Sequence, residues 1–449
     1  MACIAPARPA PPNRGAGTDS IYRSVWRWHF YAGLAVLPFM LWLAVTGGLY
    51  LYKPEIEAMV YARWSHVAPS GAPLPIDEIA TAVERQSHAR IVQVMRPADP
   101  AASWRMTLKQ TDGRRRLAFV DPYRGVVLGE TCDGGIMQTV RDLHSLIITG
   151  PIGSAVIEIV AGWAVILVLS GLYLWWPRRG GPVLGLRGRP GGRLFWRDLH
   201  ASVGLITAAV ILFLAITGMP WTGVAGEHLQ AWVVAHGFGR PVSPGSDRWK
   251  VAKNHDHDVR QSLPWSMQAA PQPEGHRGGN IGPARAAAVA IAKGLKPPWT
   301  MTLPGTPEAP YVISQIIARA DDARVLYIDA SDGRLLQDAR YAGFGAGARA
   351  IEWGIAVHQG QQYGAPNRLL MLGGCLSIVL LVLTAPVLWW KRRRNGRLEA
   401  PPRATDPRKV RSVAMIMVLA GLLFPLTGLS MLVALCGEWL WGYRRKAVR

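Results

Sequence analysis

The sequence predicts a membrane α-helical bundle of about five transmembrane helices, internally duplicated, with two small α+β domains outside the membrane. Three observations predict this fold class: long apolar runs, short loops rich in arginine and lysine, and segments of the two halves that match in fixed register. Half of the 449 residues are hydrophobic, yet the chain carries 50 Lys+Arg against 29 Asp+Glu.

Five apolar runs define the predicted spans. Each is about 20 residues long, which is enough helix to cross a hydrocarbon core of about 30 Å. A formal net charge of +21 could indicate a nucleic-acid partner, but these runs predict an integral membrane protein in the lipid bilayer and no nucleic-acid partner. The runs cover about residues 30–52, 155–176, 202–220, 369–390 and 412–435.

Basic residues are concentrated before the first span, after the second and after the fourth. Short segments loaded with Lys and Arg stay in the cytoplasm. The N-terminus is therefore expected inside, and the long segments 53–143 and 221–357 outside. Five spans would place the basic tail "GYRRKAVR" outside, against its charge, so the side of this tail stays open.

The first twenty residues, "MACIAPARPAPPNRGAGTDS", contain no apolar core of a signal peptide, and we expect a disordered cytoplasmic lead. The four cysteines form no C-x-x-C and no C-x-x-C-H pattern. This argues against a zinc ribbon and against covalently attached c-type haem.

The spans repeat in register. Setting His29 on His200 aligns the first span with the third without a gap, and brings Gly33 onto Gly204 and Thr46-Gly47 onto Thr217-Gly218. Setting His144 on His358 aligns the second span with the fourth; both then end in a Trp-Trp pair. The fifth run repeats the Thr-Gly pair as Thr427-Gly428, with Val410 at the histidine position.

The outside segments repeat as well. In residues 114–130 and 323–338, apolar and polar residues alternate on both sides of a turn rich in Asp and Gly. This pattern predicts a β-hairpin in each segment. Each hairpin follows a segment of helical pattern, at 76–86 and 282–295. Each half is thus a span, a small α+β domain and a second span.

Four histidines lie at span margins in matched positions. His29 and His200 open spans on the cytoplasmic side, whereas His144 and His358 precede spans on the outer side. A glycine follows each outer histidine six residues later: Gly150 directly precedes Pro151, and Gly364 lies two residues before Pro366. We expect those glycines to separate a short outer helix from the span. A lone interfacial histidine bonds a headgroup or a carbonyl, but four in matched pairs favour a functional site.

A pair of facing imidazoles suits haem iron, which is ligated axially from two sides, and two histidines are too few for a structural zinc site. One haem near each face would form an electron path across the membrane. Gly33 and Gly204 would let a flat macrocycle approach its helix, although small residues also serve helix packing. Arg27, Arg197 and Arg141 are candidate partners of the haem propionates, although topology already explains the inner arginines.

The set "WRWHFYAGL…LAVTGGLYLY", "RDLHSLI", "FWRDLHASVGL…AITG" and "FVDPYRGVVLGE" resembles the PepSY-associated transmembrane family. That family includes bacterial inner-membrane iron-uptake proteins and FoxB-like ferric-siderophore reductases. The resemblance covers nearly everything from Trp26 to Trp390. The second hairpin, "YIDASDGRLLQ", lacks the Pro-Tyr of the first, and 222–280 looks like an insertion.

This resemblance implies two PepSY-like periplasmic domains and b-type haem in a multi-pass protein of the inner membrane, with a cytoplasmic N-terminus. It assigns the iron-ligand role to His29, His144, His200 and His358, and it names no catalytic residue. The implied activity is haem-dependent reduction of a ferric siderophore or another periplasmic iron chelate. Because the inner loops are too short for a flavin or NAD domain, electrons must come from a membrane or cytoplasmic donor.

Two other functions stay open. PepSY domains also occur as inhibitory modules, so the protein would be a membrane-anchored peptidase regulator without redox chemistry. Alternatively, it is a general electron conduit that serves a periplasmic partner.

The predicted segments are the lead 1–20, spans or helix-plus-span units at 21–55, 141–177, 198–221, 351–391 and 411–436, outer regions 56–140 and 222–350, inner loops 178–197 and 392–410, and the tail 437–449.

Replacing His144 by alanine should lower the haem content by about half if each histidine pair holds its own macrocycle. The haem-to-protein ratio of the purified variant measures this. Unchanged loading would count against a ligand role for His144.

Overall fold

The computed structural model describes residues 15–176, 184–236, 238, 249–250, 263, 265–267, 272–276, 278–393, 421 and 424–447. The chain divides into two compact units. The helical unit comprises Met1–Trp42, Ala155–Ile216 and Leu376–Arg449. The sheet-containing unit comprises Leu43–Ser154 and Thr217–Cys375.

Helices account for most of the described chain. In order, they are α1 Gly15–Tyr50, α2 Lys53–Val60, α3 Ile76–Ser87, α4 Gly135–His144, α5 Pro151–Trp175, α6 Arg193–Gly218, α7 Val224–Ala235, α8 Pro283–Ala292, α9 Ala346–His358, α10 Gly364–Lys391 and α11 Pro425–Ala447.

Four helical segments among the described residues are long and apolar enough to cross a membrane: Ile21–Tyr50, Pro151–Trp175, Arg193–Trp221 and Gly364–Lys391. The chain is therefore a membrane protein with a lipid bilayer environment. The fifth predicted span, 411–436, lies only partly within the described residues, where α11 carries a shorter apolar segment, Pro425–Gly437.

The predicted lead 1–20 and the predicted inner loop 392–410 fall largely on residues that the structure does not describe. Of the predicted lead 1–20, residues 1–14 lie outside the described part, whereas α1 already begins at Gly15. The Pro/Ala-rich composition that suggested disorder ends at Pro12, so no proline lies in the first turns of α1, and Pro38 is a proline within this helix. About half of the insertion 222–280 lies outside the described residues as well; α7 occupies its start.

The short outer helices end as the sequence predicts. His144 is the last residue of α4, and α5 begins at Pro151 after Gly150, whose φ is +80°. In the second half His358 ends α9, and α10 begins at Gly364 with a φ of +64°. Glycine adopts this left-handed backbone at no steric cost, and a proline at the first helical position suits the start of a helix.

The strands of both halves form one antiparallel sheet of eight strands, in the order β10-β9-β8-β7-β1-β2-β3-β4. The predicted hairpins are confirmed as β3–β4 and β9–β10, and the predicted helices as α3 and α8. The strands are β1 Arg90–Arg96, β2 Trp104–Lys109, β3 Arg115–Asp121, β4 Val126–Cys132, β7 Trp299–Thr302, β8 Tyr311–Gln315, β9 Arg324–Ile328 and β10 Leu335–Arg340; a separate two-stranded ribbon pairs β5 Trp249–Lys250 with β6 Gln272–Pro273.

Strands β1 and β7 form the seam between the halves. They pair antiparallel, with Gln93 opposite Thr302 and Val94 opposite Met301. One hydrophobic core continues across this seam: α3 contributes Ile79 and Val83, and α8 and β7 contribute residues that include Trp299. The sequence predicted two separate small domains; the structure joins their sheets and their cores.

The seam can be tested by a disulfide. Because the Leu303 N–H donates to the Val92 carbonyl, at 2.9 Å, Gln93 and Thr302 form the adjacent non-hydrogen-bonded pair. Such pairs hold their side chains close, within reach of a disulfide. In a background with the native cysteines replaced by alanine, Gln93→Cys with Thr302→Cys should cross-link on oxidation, and mass spectrometry of the digest detects the linked peptides.

Gln93→Cys with Thr300→Cys is the matched control, because a pair two residues out of register is about 7–8 Å apart. Equal cross-linking of both pairs, or of neither, would contradict the observed register.

Candidate functional site

The helical unit encloses a large cavity whose volume is about 1480 Å³. Helices α1, α5, α6 and α10 line it, and the predicted residues His29, His200, Gly33 and Gly204 all face it. His29 and His200 come from equivalent positions of the two repeats, so the cavity is built jointly by both halves. We call it the inner cavity.

Each imidazole of the inner cavity contacts a hydroxyl on a neighbouring span. The His29 Nδ1 lies 2.8 Å from the Ser170 Oγ, and the His200 Nδ1 lies 2.7 Å from the Thr384 Oγ1. These contacts engage one nitrogen of each ring. The other nitrogen, Nε2, is the atom that remains for a ligand.

Small residues make room around these rings. A Cβ added at Gly171 would lie 3.3 Å from the His29 Cε1, so α5 approaches the ring closely. At Gly33 and Gly204 an added Cβ would meet only Leu167 and Leu381, both at 3.8 Å, which is ordinary contact. Packing alone therefore does not require the glycines at 33 and 204, and their effect is to widen the inner cavity.

The predicted arginines fall in different places. Arg197 lines the inner cavity, but its guanidinium bonds Asp198 at 2.8 Å, and Arg187 bonds the same carboxylate. Arg27 is not among the lining residues; its guanidinium lies 5.0 Å from the centre of the Tyr31 ring. Arg27 is therefore a weaker candidate than the sequence suggested for binding the propionates of an inner haem.

Sequence reasoning missed three lining arginines: Arg187, which bonds Asp198, and Arg193 and Arg392. Arg193 and Arg392 both face the inner cavity, and the Arg392 guanidinium lies over the rings of Trp26 and Phe30, at 4.9 and 5.1 Å. Burial and the charge of Arg193 lower the pKa of Arg392. Like charges held this close favour an anionic ligand. Arg193 and Arg392 belong to basic clusters that membrane topology already explained, so no separate sequence signal assigned them to a site.

The outer histidines lie together in the sheet-containing unit. The His144 Nδ1 is 2.9 Å from the Thr46 Oγ1, and the His358 Nδ1 is 2.8 Å from the Thr217 Oγ1. Burial lowers the pKa of His144 to about 4. Burial, and then the charge of His144, lower the pKa of His358 to about 3. Both rings are therefore neutral near pH 7, which is the form that binds a metal.

Glycines again flank the rings. An added Cβ at Gly47 would lie 3.2 Å from the His144 Cε1, and one at Gly218 would lie 3.7 Å from the His358 Cε1. The Thr-Gly pairs that repeat in the sequence therefore supply, side by side, a hydroxyl and the space for an imidazole. The third predicted arginine, Arg141, lies in the last turn of α4, one turn before His144, and is half-buried.

The residues fit a haem held by two imidazoles. Each pair offers two histidines with Nδ1 already engaged, and Asp198, the carboxylate among the described residues that line the inner cavity, is committed to Arg187 and Arg197. The inner cavity is walled mainly by aliphatic and aromatic side chains and has arginines at its margin. This combination suits an apolar macrocycle with anionic substituents.

One other group of metal-type ligands occurs in the described part of the chain: His276, Asp329 and Asp332. Asp329 is fully buried and accepts hydrogen bonds from the backbone N–H and the Nδ1 of His276, and from the N–H and Oγ of Ser331. These bonds order the β9–β10 turn. A structural role accounts for this group.

A family model, the PepSY-associated TM region, matches residues 26–392. The chain belongs to this family, as the sequence motifs indicated. The matched residues include all four histidines and their hydroxyl partners. A search of curated proteins found no match.

Helix α9, which ends at His358, is anchored by a buried carboxylate. The Glu352 Oε1 accepts hydrogen bonds from the Ser266 N–H at 2.7 Å and the Ser266 Oγ at 2.8 Å. Burial raises the pKa of Glu352 above its ordinary value of 4.5. The ionised form is therefore the costly one in the folded protein.

Glu352→Gln should raise the midpoint of thermal unfolding at pH 8 by a few degrees, because glutamine keeps the acceptor oxygen and resembles the protonated acid. A raised folded-state pKa means that stability is lost as pH rises through the unfolded and then the folded pKa. The gain should therefore disappear near pH 4. Thermal unfolding at both pH values measures it, with Ser266→Ala as a control that is destabilising at each. A gain that is equal at both pH values would contradict the role of charge.

Proposed function

We propose that this member of the PepSY-associated family holds two b-type haems and carries electrons across the bacterial inner membrane to ferric iron, most suitably the iron of a ferric siderophore in the periplasm. One observation carries the proposal. Four imidazoles, in two pairs contributed by both repeats, each have Nδ1 bonded to a hydroxyl and present Nε2 as a possible iron ligand.

The inner haem would be held by His29 and His200. Its flat face would lie against Gly33 and Gly204, and its propionates would meet Arg193 and Arg392, with Arg197 as a further donor. All of these residues line one cavity. The apolar walls exclude water and thereby tune the potential of the iron.

The outer haem would be held by His144 and His358. Both rings are neutral at physiological pH, so no proton has to leave before iron binds. Arg141, one helical turn before His144, is the candidate partner of its propionates. The positions of these histidines before the second and fourth spans put this centre on the periplasmic side in the topology that the loop charges predict.

Haem iron supplies one-electron transfer without exchange of atoms. In the proposed reaction a reduced membrane carrier or cytoplasmic protein gives up one electron for each Fe(III) that becomes Fe(II). Siderophores hold Fe(III) through hard oxygen donors, which hold Fe(II) less well. The protein would thus be a haem-dependent oxidoreductase that serves iron uptake, and its residues bind and orient the cofactor.

The spectrum of the full-length protein tests the haem. Protein purified from cells with ample porphyrin supply should give a dithionite-reduced minus oxidised difference spectrum with a b-type α-band, and about two haems per chain. His200→Ala and His358→Ala should each lose about one haem. His66→Ala is the matched control, because His66 also contacts a serine hydroxyl but is exposed on the sheet-containing unit.

A colourless preparation would overturn the proposal and favour a membrane-anchored peptidase regulator. If haem is present, the iron acceptor is tested by mixing the reduced protein with ferric siderophores and a ferrous chelator under anaerobic conditions. Formation of the ferrous complex together with haem reoxidation supports the reductase. Haem that stays reduced would favour an electron conduit to another periplasmic partner.

A further inference from the structure

The hydroxyl partners of the four histidines repeat as regularly as the histidines do. Thr46 and Thr217 are separated by the same offset as His29 and His200, and Ser170 and Thr384 by the same offset as His144 and His358. A small residue follows each hydroxyl. These followers are Gly47, Gly218, Gly171 and Ala385.

The direction of the hydrogen bonds can be assigned from the hydroxyl. The Ser170 Oγ also donates to the Leu167 carbonyl at 3.1 Å, and the Thr384 Oγ1 to the Leu381 carbonyl at 3.0 Å. The Thr46 Oγ1 donates to the Leu43 carbonyl at 3.4 Å. A hydroxyl has a single hydrogen, so an oxygen that gives it to a carbonyl can only accept from the imidazole. The proton of the His29, His200 and His144 rings is thus on Nδ1, and the repeat places Thr217 in the same relation to His358.

The third copy of the Thr-Gly pair provides an internal comparison. Its Thr427 Oγ1 bonds the Ile159 carbonyl at 3.4 Å and not an imidazole. An added Cβ at Gly162 on α5 would overlap this hydroxyl, so Thr427 packs directly against a helix. A Thr-Gly pair alone therefore does not bring a ring to the hydroxyl, whereas Thr46 and Thr217 contact the rings of His144 and His358.

We infer that Thr46, Thr217, Ser170 and Thr384 are positioning residues: each hydroxyl holds its histidine in the Nδ1–H tautomer and aims the bare Nε2 at the iron. This inference rests on the proposed haem function. A hydrogen-bond acceptor on Nδ1–H increases the electron donation of Nε2 and fixes the ring orientation. The hydroxyls should therefore favour the ferric state and tighten the binding of haem.

Thr46→Val tests this at the outer pair, because valine keeps the shape and removes only the hydroxyl. In the purified holoprotein we expect the midpoint potential of one haem to rise and the other to stay unchanged. The haem affinity of the affected centre should fall by about 10-fold or more. Thr46→Ser, which restores the hydroxyl, should restore both values. Thr384→Val should produce the same changes at the other haem.

Thr427→Val is the matched control, since it removes the hydroxyl of a Thr-Gly pair that has no histidine; both potentials should stay at the wild-type values. If Thr46→Val loses the outer haem altogether, Thr217→Val on the second histidine of that pair supplies the potential measurement. Wild-type potentials and haem affinity in Thr46→Val and Thr384→Val would overturn the inference while leaving the haem function intact. A wild-type protein without haem would instead remove the proposed function.

Discussion

A neutral imidazole among apolar helices is expensive unless its polar atoms find partners. The four histidines meet this constraint in one way: a serine or threonine hydroxyl on a neighbouring span engages Nδ1, and a small residue beside that hydroxyl makes room for the ring. Everything that the two sites can do follows from this contact. It fixes the ring orientation and leaves Nε2 as the nitrogen that is available to a ligand.

Duplication turns this local contact into paired sites. Helices α1 and α6 each carry one histidine and one Thr-Gly pair, and the spans that follow the outer helices carry the hydroxyls for the inner pair. Each pair therefore takes one imidazole from each half. Two ligands on opposite sides of a flat cofactor are the natural product of such a repeat, whereas a four-ligand metal site would need more donors than the repeats supply.

Sequence reasoning reached the features that have a strong local signal. Four of the five apolar runs, the two hairpins and the break at Gly150 and Gly364 all come from hydropathy, periodicity and backbone preference, and the structure has them where expected. The grouping of His29 with His200 followed from their matched positions in the two repeats and from their place at the start of a span.

The missed features depend on side chains that have another explanation or no periodic signal. Ser170 and Thr384 differ in identity, so their equivalence is visible only once the rings they contact are known. Arg193 and Arg392 sit in basic clusters, and the burial that distinguishes them is a property of the fold. The pairing of β1 with β7 has no local signature, because the two strands lie far apart in the chain and the residue pattern of each does not record which strand it meets.

That pairing has an implication for how the molecule arose. Strands β1 and β7 are counterparts in the two repeats, and they meet antiparallel at the middle of the sheet. This is the isologous contact by which a two-fold symmetric homodimer closes. The chain therefore has the organisation of a dimer whose protomers became covalently joined, and fusion freed each copy to diverge, as the insertion in one half illustrates.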